Sequence, residues 1–132
     1  MKKFFLITLL LSSALIACEK ENNSSNGDIF EIKMGQTATV STLKIRLDSV
    51  QDSRCPEGAV CVRAGEAIAK LTFIKGNEQI VKSLEVTGAF GYSKPDTVLV
   101  FDKKAILIDV LPYPNVNTQL PQSDYKVQIK LE

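Results

Sequence analysis

The sequence predicts an all-β fold, a single small β-sandwich or barrel-like domain of about seven strands. Apolar and polar residues alternate with a period of two after residue 28, and no window longer than about ten residues favours the helical period. Turn signals recur roughly every ten residues, which is typical of sandwiches and small barrels. A lone sheet would leave one apolar face exposed, so we expect the strands to enclose a core.

Seven strands are predicted in chain order. The second is supported by Leu43, Ile45 and Leu47, which would share one face while the polar residues between them share the other. Between the third and fourth strands, Lys75-Gly76-Asn77 is typical of a hairpin turn. The predicted strands span residues 29–33, 37–50, 65–74, 78–87, 97–102, 105–111 and 125–131.

The last three strands have two different patterns. Residues 98–101 and 105–108 are nearly continuous apolar runs, which predict strands that are covered on both faces or central to a packed sheet. The final strand alternates from Tyr125 to Leu131, which predicts one face exposed to water.

Two long loops complete the predicted domain. Residues 112–123 contain three prolines and Tyr113, and we interpret them as a stiff crossover between strands. The loop at 88–96 carries Phe90 and Tyr92, whose rings we expect to close one end of the core; the alternative is that they form a contact patch.

The N-terminus is typical of a secretory leader. Lys2 and Lys3 precede an apolar run over residues 4–16, which is shorter than the roughly 20 residues of a membrane span. The stretch Leu15-Ile16-Ala17-Cys18 resembles the lipobox of bacterial lipoproteins, which implies cleavage before the cysteine and its acylation. We therefore expect residues 1–17 to be a lipoprotein signal peptide. The alternative is a plain signal peptide followed by a chance cysteine.

A polar segment would link the lipid to the domain. Residues 19–27 contain no apolar side chain, so residues 18–27 are predicted to be a flexible lipidated tether reaching at most about 30 Å. The β-domain would then span residues 28–132. Glu19 is not the aspartate typical of inner-membrane retention, which favours an outer membrane lipoprotein. It would face the periplasm or, because Glu19-Lys20-Glu21 resembles surface-export tags of Bacteroidota, the cell surface.

Two cysteines remain once Cys18 carries lipid. Cys55 and Cys61 are expected to form a disulfide in an oxidising envelope. A metal site would lack further ligands, since the chain has no histidine, and a redox pair normally has Cys-x-x-Cys spacing. Pro56 and Gly58 fit the second and fourth positions of a type I turn that begins at Cys55.

The residues around these cysteines resemble a known motif. Asp52-Ser53-Arg54-Cys55-Pro56, Cys61 and Ala64-Gly65-Glu66-Ala67 are similar to the pattern DSRCP-x4-C-x-W-A-G-x-A of small uncharacterised envelope lipoproteins, many from Bacteroidota. Leu111-Pro112-Tyr113-Pro114 also resembles that family's C-terminal region. Arg63 stands where the family usually has tryptophan. Since the family has no established activity, the resemblance supports the boundaries and the disulfide but implies no catalytic residue.

Two arginines flank the predicted disulfide loop. We favour an ion-paired role, in which a guanidinium fixes the turn against a nearby carboxylate. The alternative is a rigid loop presented to a partner, because a preorganised loop loses less entropy on binding. The candidate contact residues on that alternative are Arg54, Glu57, Arg63 and Tyr113.

Composition limits the function further. Sixteen Lys and Arg against fifteen Asp and Glu give a net charge of +1, so no strong positive field would gather nucleic acid. The absence of histidine from the sequence removes Ser-His-Asp and Cys-His catalysis and histidine-ligated metals. We expect no enzyme activity, no metal and no cofactor.

The prediction is therefore a lipid-anchored envelope protein that acts as a non-enzymatic binding or structural module. Its partners would be the membrane, through the lipid, and another envelope protein or glycan. The alternative is an inhibitor of a protease or lysozyme-like hydrolase that presents the Cys55–Cys61 loop.

Overall fold

The computed structural model describes residues 29–132, and this part of the chain contains no α-helix. The predicted all-β class and the small sandwich are confirmed. One short 3₁₀ helix, Gln122–Asp124, precedes the last strand. The strands are β1 (Ile29–Lys33), β2 (Thr37–Val40), β3 (Leu43–Asp52), β4 (Glu66–Lys75), β5 (Glu78–Thr87), β6 (Asp96–Val100), β7 (Lys103–Leu111) and β8 (Lys126–Leu131).

The strands form two antiparallel sheets of four, in the orders β1-β8-β7-β6 and β2-β3-β4-β5. Alternation in the long strands turns one apolar face of each sheet inward, where burial removes it from water. Phe73 is the largest of the fully buried side chains. The core also contains Ile32, Leu43, Ile45, Leu47, Val50, Ala67, Ala69, Leu71, Leu84, Val86, Val100, Ala105, Leu107, Val110, Tyr125, Val127 and Ile129.

One end of the sandwich, the hairpin end, is made of tight connections. Two-residue turns at 41–42, 76–77 and 101–102 join successive strands there. An ion pair links the two sheets at this end, with Lys75 Nζ 2.6 Å from Asp102 Oδ1. Short turns and an ion pair between the sheets therefore close the hairpin end.

The opposite end, called here the loop end, is made of the longer connections at 53–65, 88–95 and 112–125. The first described residue lies far from it. Ile29 pairs with Lys130 near the C-terminal end of β8, so the chain joins the domain at the hairpin end.

Two of the predicted strands run into hairpin turns, and neither turn contains glycine. The predicted strand 37–50 is broken at Ser41, which has a φ of 57° and separates β2 from β3. The predicted strand 97–102 ends at Val100, because Phe101 has a φ of 55°. Tight hairpins need a positive φ at such positions, and glycine or asparagine usually provides it. Serine and phenylalanine gave no such signal.

The apolar run in β7 lies in a central strand, as predicted, but the prediction is wrong for β6. This strand lies at the edge of its sheet, and Leu99 is 75% exposed. Val100, the next residue, is buried in the core. No second layer covers the outer face of this sheet within residues 29–132, so a continuous apolar run here does not indicate two buried faces.

A β-bulge decides which residues of β3 face the interior near the loop end. The register shifts between Leu47 and Ser49, so the alternation restarts and Val50 is buried instead of Ser49. Two residues further on, the side chain of Asp52 is only 4% exposed. The bulge therefore carries a carboxylate into the end of the core.

Candidate functional site

The inward-facing carboxylate of Asp52 is paired with Arg54. The guanidinium donates from Nε to Asp52 Oδ1 at 2.9 Å and from Nη2 to Oδ2 at 2.6 Å, which is the strong bidentate geometry. The main-chain N–H of Arg54 also donates to Oδ1, at 3.1 Å. The Arg54 side chain is 2% exposed. This is the ion-paired arrangement that the sequence favoured.

Arg54 also joins the two sheets. Its Nη1 donates to the main-chain oxygen of Val110 at 2.8 Å, and Nη2 donates to that of Pro112 at 3.2 Å. Nη1 lies 3.7 Å from a carboxylate oxygen of Asp109. Because Arg54 follows β3 and Val110 lies in β7, one side chain fastens the ends of both sheets. No buried side-chain nitrogen or oxygen lacks a partner within residues 29–132.

Tyr125 completes the hydrogen bonding of Asp52. Its hydroxyl donates to Asp52 Oδ2 at 3.2 Å. Burial, and then the negative charge of Asp52, raise the pKa of Tyr125 from 10.0 to about 12. The buried phenol therefore keeps its proton in the folded protein when an exposed tyrosine would lose it.

This raised pKa makes stability depend on alkaline pH. Because the folded pKa is above the unfolded one, the contribution of Tyr125 is complete below pH 10 and is lost as the pH rises towards about 12. We expect the free energy of unfolding to fall by about 2 to 3 kcal/mol over that range from this group. Urea unfolding of the wild type and Tyr125→Phe at each pH measures it. Parallel pH profiles of the two proteins would contradict the assignment.

Tyr113 covers the outer side of the same pair. Its ring centroid lies 4.6 Å from Cζ of Arg54, a cation–π contact. Its hydroxyl donates to the main-chain oxygen of Cys55 at 3.0 Å. The ring of Phe90 meets it edge-on at 5.2 Å between centroids. Tyr113 therefore connects all three long loops of the loop end.

The predicted disulfide between Cys55 and Cys61 is present, with the two Cα atoms 5.9 Å apart. Main-chain hydrogen bonds hold the base of the loop that it closes. Cys55 N–H donates to the oxygen of Ala64 at 2.7 Å, and Ser53 N–H donates to that of Glu66 at 2.8 Å. The loop is therefore braced covalently and by the ends of β3 and β4.

The turn inside the disulfide loop lies one residue later than predicted. Ala59 N–H donates to the oxygen of Pro56 at 3.1 Å, so the turn begins at Pro56 and not at Cys55. Gly58 is then its third residue, with a φ of 88°. A positive φ at that position is the signature of a type II turn, and it explains the glycine.

The disulfide loop is also tied to the 112–125 connection. Glu57 N–H donates to the oxygen of Pro114 at 2.8 Å, and Val116 N–H donates to the oxygen of Glu57 at 3.1 Å. The side chain of Asn115 donates to Glu57 Oε2 at 3.3 Å. A short parallel β-bridge between Glu57 and Asn115 therefore joins the two loops.

The disulfide should contribute moderately to stability. It closes a short loop, since Cys55 and Cys61 are six positions apart in the sequence, so Cys55→Ala/Cys61→Ala should lower the free energy of unfolding by about 2 kcal/mol. Denaturant unfolding of both proteins, with and without a reducing agent, measures the loss. The double variant should not respond to the reductant, whereas the wild type should fall to the level of the variant. A wild type insensitive to complete reduction would contradict the prediction.

This braced end carries most of the large apolar side chains that the described residues expose. Val60 and Val62 are fully exposed, at 103% and 104% of their reference areas. Val116, Phe90 and Tyr92 are each more than half exposed. The expectation that Phe90 and Tyr92 close the core is wrong, because the buried ion pair and its two tyrosines already fill this end.

No family model, curated protein or solved structure matches the chain. Within residues 29–132, no helix is long and apolar enough to cross a bilayer. The same residues contain no group of three or more His, Cys, Asp or Glu placed to hold a metal ion. Cys18, the predicted signal peptide at 1–17 and the predicted tether at 18–27 lie outside the described residues.

The four candidate contact residues have different surroundings. The assignment of Arg54 to a contact surface is corrected, because its guanidinium is buried and bonded to both sheets. Glu57 is exposed, and Tyr113 is half-buried over the ion pair. Arg63 is exposed and forms no ion pair with any residue in the described part of the chain.

Two contributors to the loop end were missed by sequence reasoning. The alternation of the last strand predicts only that Tyr125 lies on its apolar face. The hydrogen bond from its hydroxyl to Asp52 depends on the bulge in β3, which turns the carboxylate inward. The polar residues near Val62 in the sequence form no pattern that predicts the exposure of its side chain. The one signal in the sequence was an aliphatic residue placed directly after a disulfide cysteine in a short loop.

Proposed function

We propose that this protein is a lipid-anchored module of the bacterial outer membrane that binds another envelope protein through its loop end and catalyses no reaction itself. The supporting observation is the concentration of exposed apolar side chains, led by Val60 and Val62, on loops that are braced against one another. The lipid would be carried by Cys18, after removal of residues 1–17.

The direction of the chain supports this use of the loop end. Because Ile29 lies at the hairpin end, a tether over residues 18–27 would attach the membrane there. The ten residues of β3 separate the two ends by about 30 Å, at about 3.4 Å per residue. The anchor would therefore hold the loop end away from its own membrane and towards other envelope proteins.

The energetics of the surface also favour a protein partner. Soluble domains seldom leave fully exposed aliphatic side chains close together without a use for them. A surface that is already rigid loses little conformational entropy when it is covered. The disulfide, the Glu57 pairing and the Arg54 network provide that rigidity. More of the free energy gained by burying apolar side chains at the loop end would therefore appear as binding affinity.

Crosslinking in living cells tests the docking surface. A photoreactive amino acid placed at Val62 should give one dominant crosslinked envelope protein, identified by mass spectrometry. The matched control carries the same group at Asn77, which is exposed at the hairpin end, and should not give that product. The proposal would be contradicted if Val62 and Asn77 gave the same crosslinked products. It would also be contradicted if no crosslinked product formed from Val62, Tyr92 or Val116.

The anchor is tested separately. Cells grown with a labelled fatty acid should incorporate it into the wild type, and Cys18→Ser should abolish both the label and the membrane fractionation of the protein. Wild-type protein that carries no label and partitions with the soluble fraction would contradict the lipid anchor while leaving the loop-end surface open to the crosslinking test.

A further inference from the structure

We propose that the loop end occupies the substrate cleft of an endopeptidase that prefers small aliphatic side chains, and that residues 60–63 enter this cleft as a substrate would. The inference rests on the proposed use of the loop end as a docking surface. It adds the class of partner and the residues that fit it.

The main chain of this segment is available for pairing. From Val60 to Gly65, no main-chain N–H donates a hydrogen bond to another described residue. The residues on either side do, since Ala59 N–H donates to the oxygen of Pro56 and Glu66 N–H donates to Ser53 Oγ. Peptidase clefts hold extended substrates through main-chain hydrogen bonds and read alternate side chains in pockets. The backbone bends at Val62 and Arg63, so main-chain pairing with such a cleft would use the free N–H groups of Val60 and Cys61.

The side chains have the matching pattern. Val60 and Val62 are fully exposed and are separated by Cys61, whose Sγ is bonded to Cys55. Both are short, β-branched and apolar, so they suit small apolar pockets. A glycan-cleaving cleft recognises sugars by polar contacts and stacking, and residues 60–63 contain no aromatic side chain. The pattern therefore favours a peptidase over a lysozyme-like hydrolase.

The bracing explains how the segment could inhibit instead of being digested. Hydrolysis of the Val60–Cys61 peptide bond would add one water and leave a carboxylate on Val60 and an amino group on Cys61. The Cys55–Cys61 disulfide and the bonds from Cys55 to Ala64 and from Glu57 to Pro114 would keep these new ends adjacent. Condensation of the two ends then restores the bond and releases the water, so the cleft stays filled.

Inhibition by the complete processed protein, purified with its anchor in detergent micelles, tests the proposal. The probes are an elastase-type serine endopeptidase, cysteine and metallo-endopeptidases of small-aliphatic specificity, a trypsin-type enzyme and a lysozyme. We expect inhibition of at least one small-aliphatic peptidase. Val60→Asp should weaken it about 100-fold, as loss of a central interface side chain does. The matched control Val81→Asp changes another exposed valine, on β5, and should leave inhibition unchanged.

A variant without the disulfide, compared with the wild type, separates inhibition from folding. Cys55→Ser/Cys61→Ser should be cut after Val60 and consumed as a substrate, while the wild type survives the same incubation. Inhibition that is equal in Val60→Asp and the wild type, inhibition of lysozyme or trypsin alone, or no inhibition of any small-aliphatic peptidase would overturn the inference. A crosslink from Val62 to a protein that is not a peptidase would also overturn it but would leave the proposed function standing. Absence of any loop-end crosslink would remove both.

Discussion

Replacing Arg54 with methionine is expected to lower the free energy of unfolding by about 3 to 5 kcal/mol, because the Asp52 carboxylate would stay buried without its charged partner. The same change removes the bonds to the main-chain oxygens of Val110 and Pro112, which join the two sheets. Methionine keeps the length and flexibility of the side chain, so lost volume contributes little. Urea unfolding followed by circular dichroism measures the effect.

A matched control lies two residues from the β3 bulge on the outer face. Arg46 Nε is 2.6 Å from Asp48 Oδ1, but the Arg46 side chain is 43% exposed, so Arg46→Met should cost less than about 1 kcal/mol. Asp52→Asn combined with Arg54→Met should cost less than Arg54→Met alone, since no charge is then left unpaired. Equal losses for Arg46→Met and Arg54→Met would contradict the role assigned to the buried pair.

Gly65→Ala should be the second severe change, with an expected loss of about 3 kcal/mol. Gly65 has a φ of 72°, and an added Cβ would lie 2.0 Å from the oxygen of Ser53 and 2.9 Å from Cα of Arg54. The left-handed conformation costs about 1 to 2 kcal/mol for an alanine, and forced overlap adds about 1 to 3 kcal/mol. The backbone cannot move aside easily, because Ser53 is bonded to Glu66 across the same gap.

Gly35→Ala separates these two costs. Gly35 has nearly the same φ, 73°, but nothing lies within 4 Å of its added Cβ. Gly35→Ala should therefore lower the free energy of unfolding by only about 1 to 2 kcal/mol, which is the cost of the left-handed backbone conformation. Denaturant unfolding of the two variants in parallel is the measurement, and a Gly35 loss as large as that of Gly65 would show that steric overlap is not the cause.

The fold was largely predictable because its strands obey local rules. Alternation over Leu43, Ile45 and Leu47 is a physical requirement of a sheet with one buried face, and the glycine at Gly76 marks its hairpin directly. The breaks at Ser41 and Phe101 were not predictable, since the positive φ there is imposed by strand pairing and not by the residue type. Edge position likewise depends on the whole sheet order, which is why the exposure of Leu99 was missed.

The loop end was predictable in its chemistry but not in its geometry. The spacing of the two cysteines and the predicted oxidising compartment were sufficient to pair Cys55 with Cys61. Nothing local, however, distinguishes Arg54 from Arg63, since each flanks the loop and has acidic neighbours in sequence. Only the bulge in β3, which depends on pairing with β4, turns Asp52 inward and so buries one arginine while the other stays exposed.

The pairing of the first and last strands has a consequence for engineering. Ile29 lies opposite Lys130, and Lys104 exchanges two main-chain hydrogen bonds with Glu132, so the two ends of the domain lie side by side. A short linker from Glu132 to Ile29 would extend this pair into a new hairpin, and the chain could be reopened in the exposed turn between Gly76 and Asn77. Such a circular permutant would keep every loop-end contact while moving the N-terminus of the domain, to which the proposed lipid tether would be joined, to the edge of the other sheet.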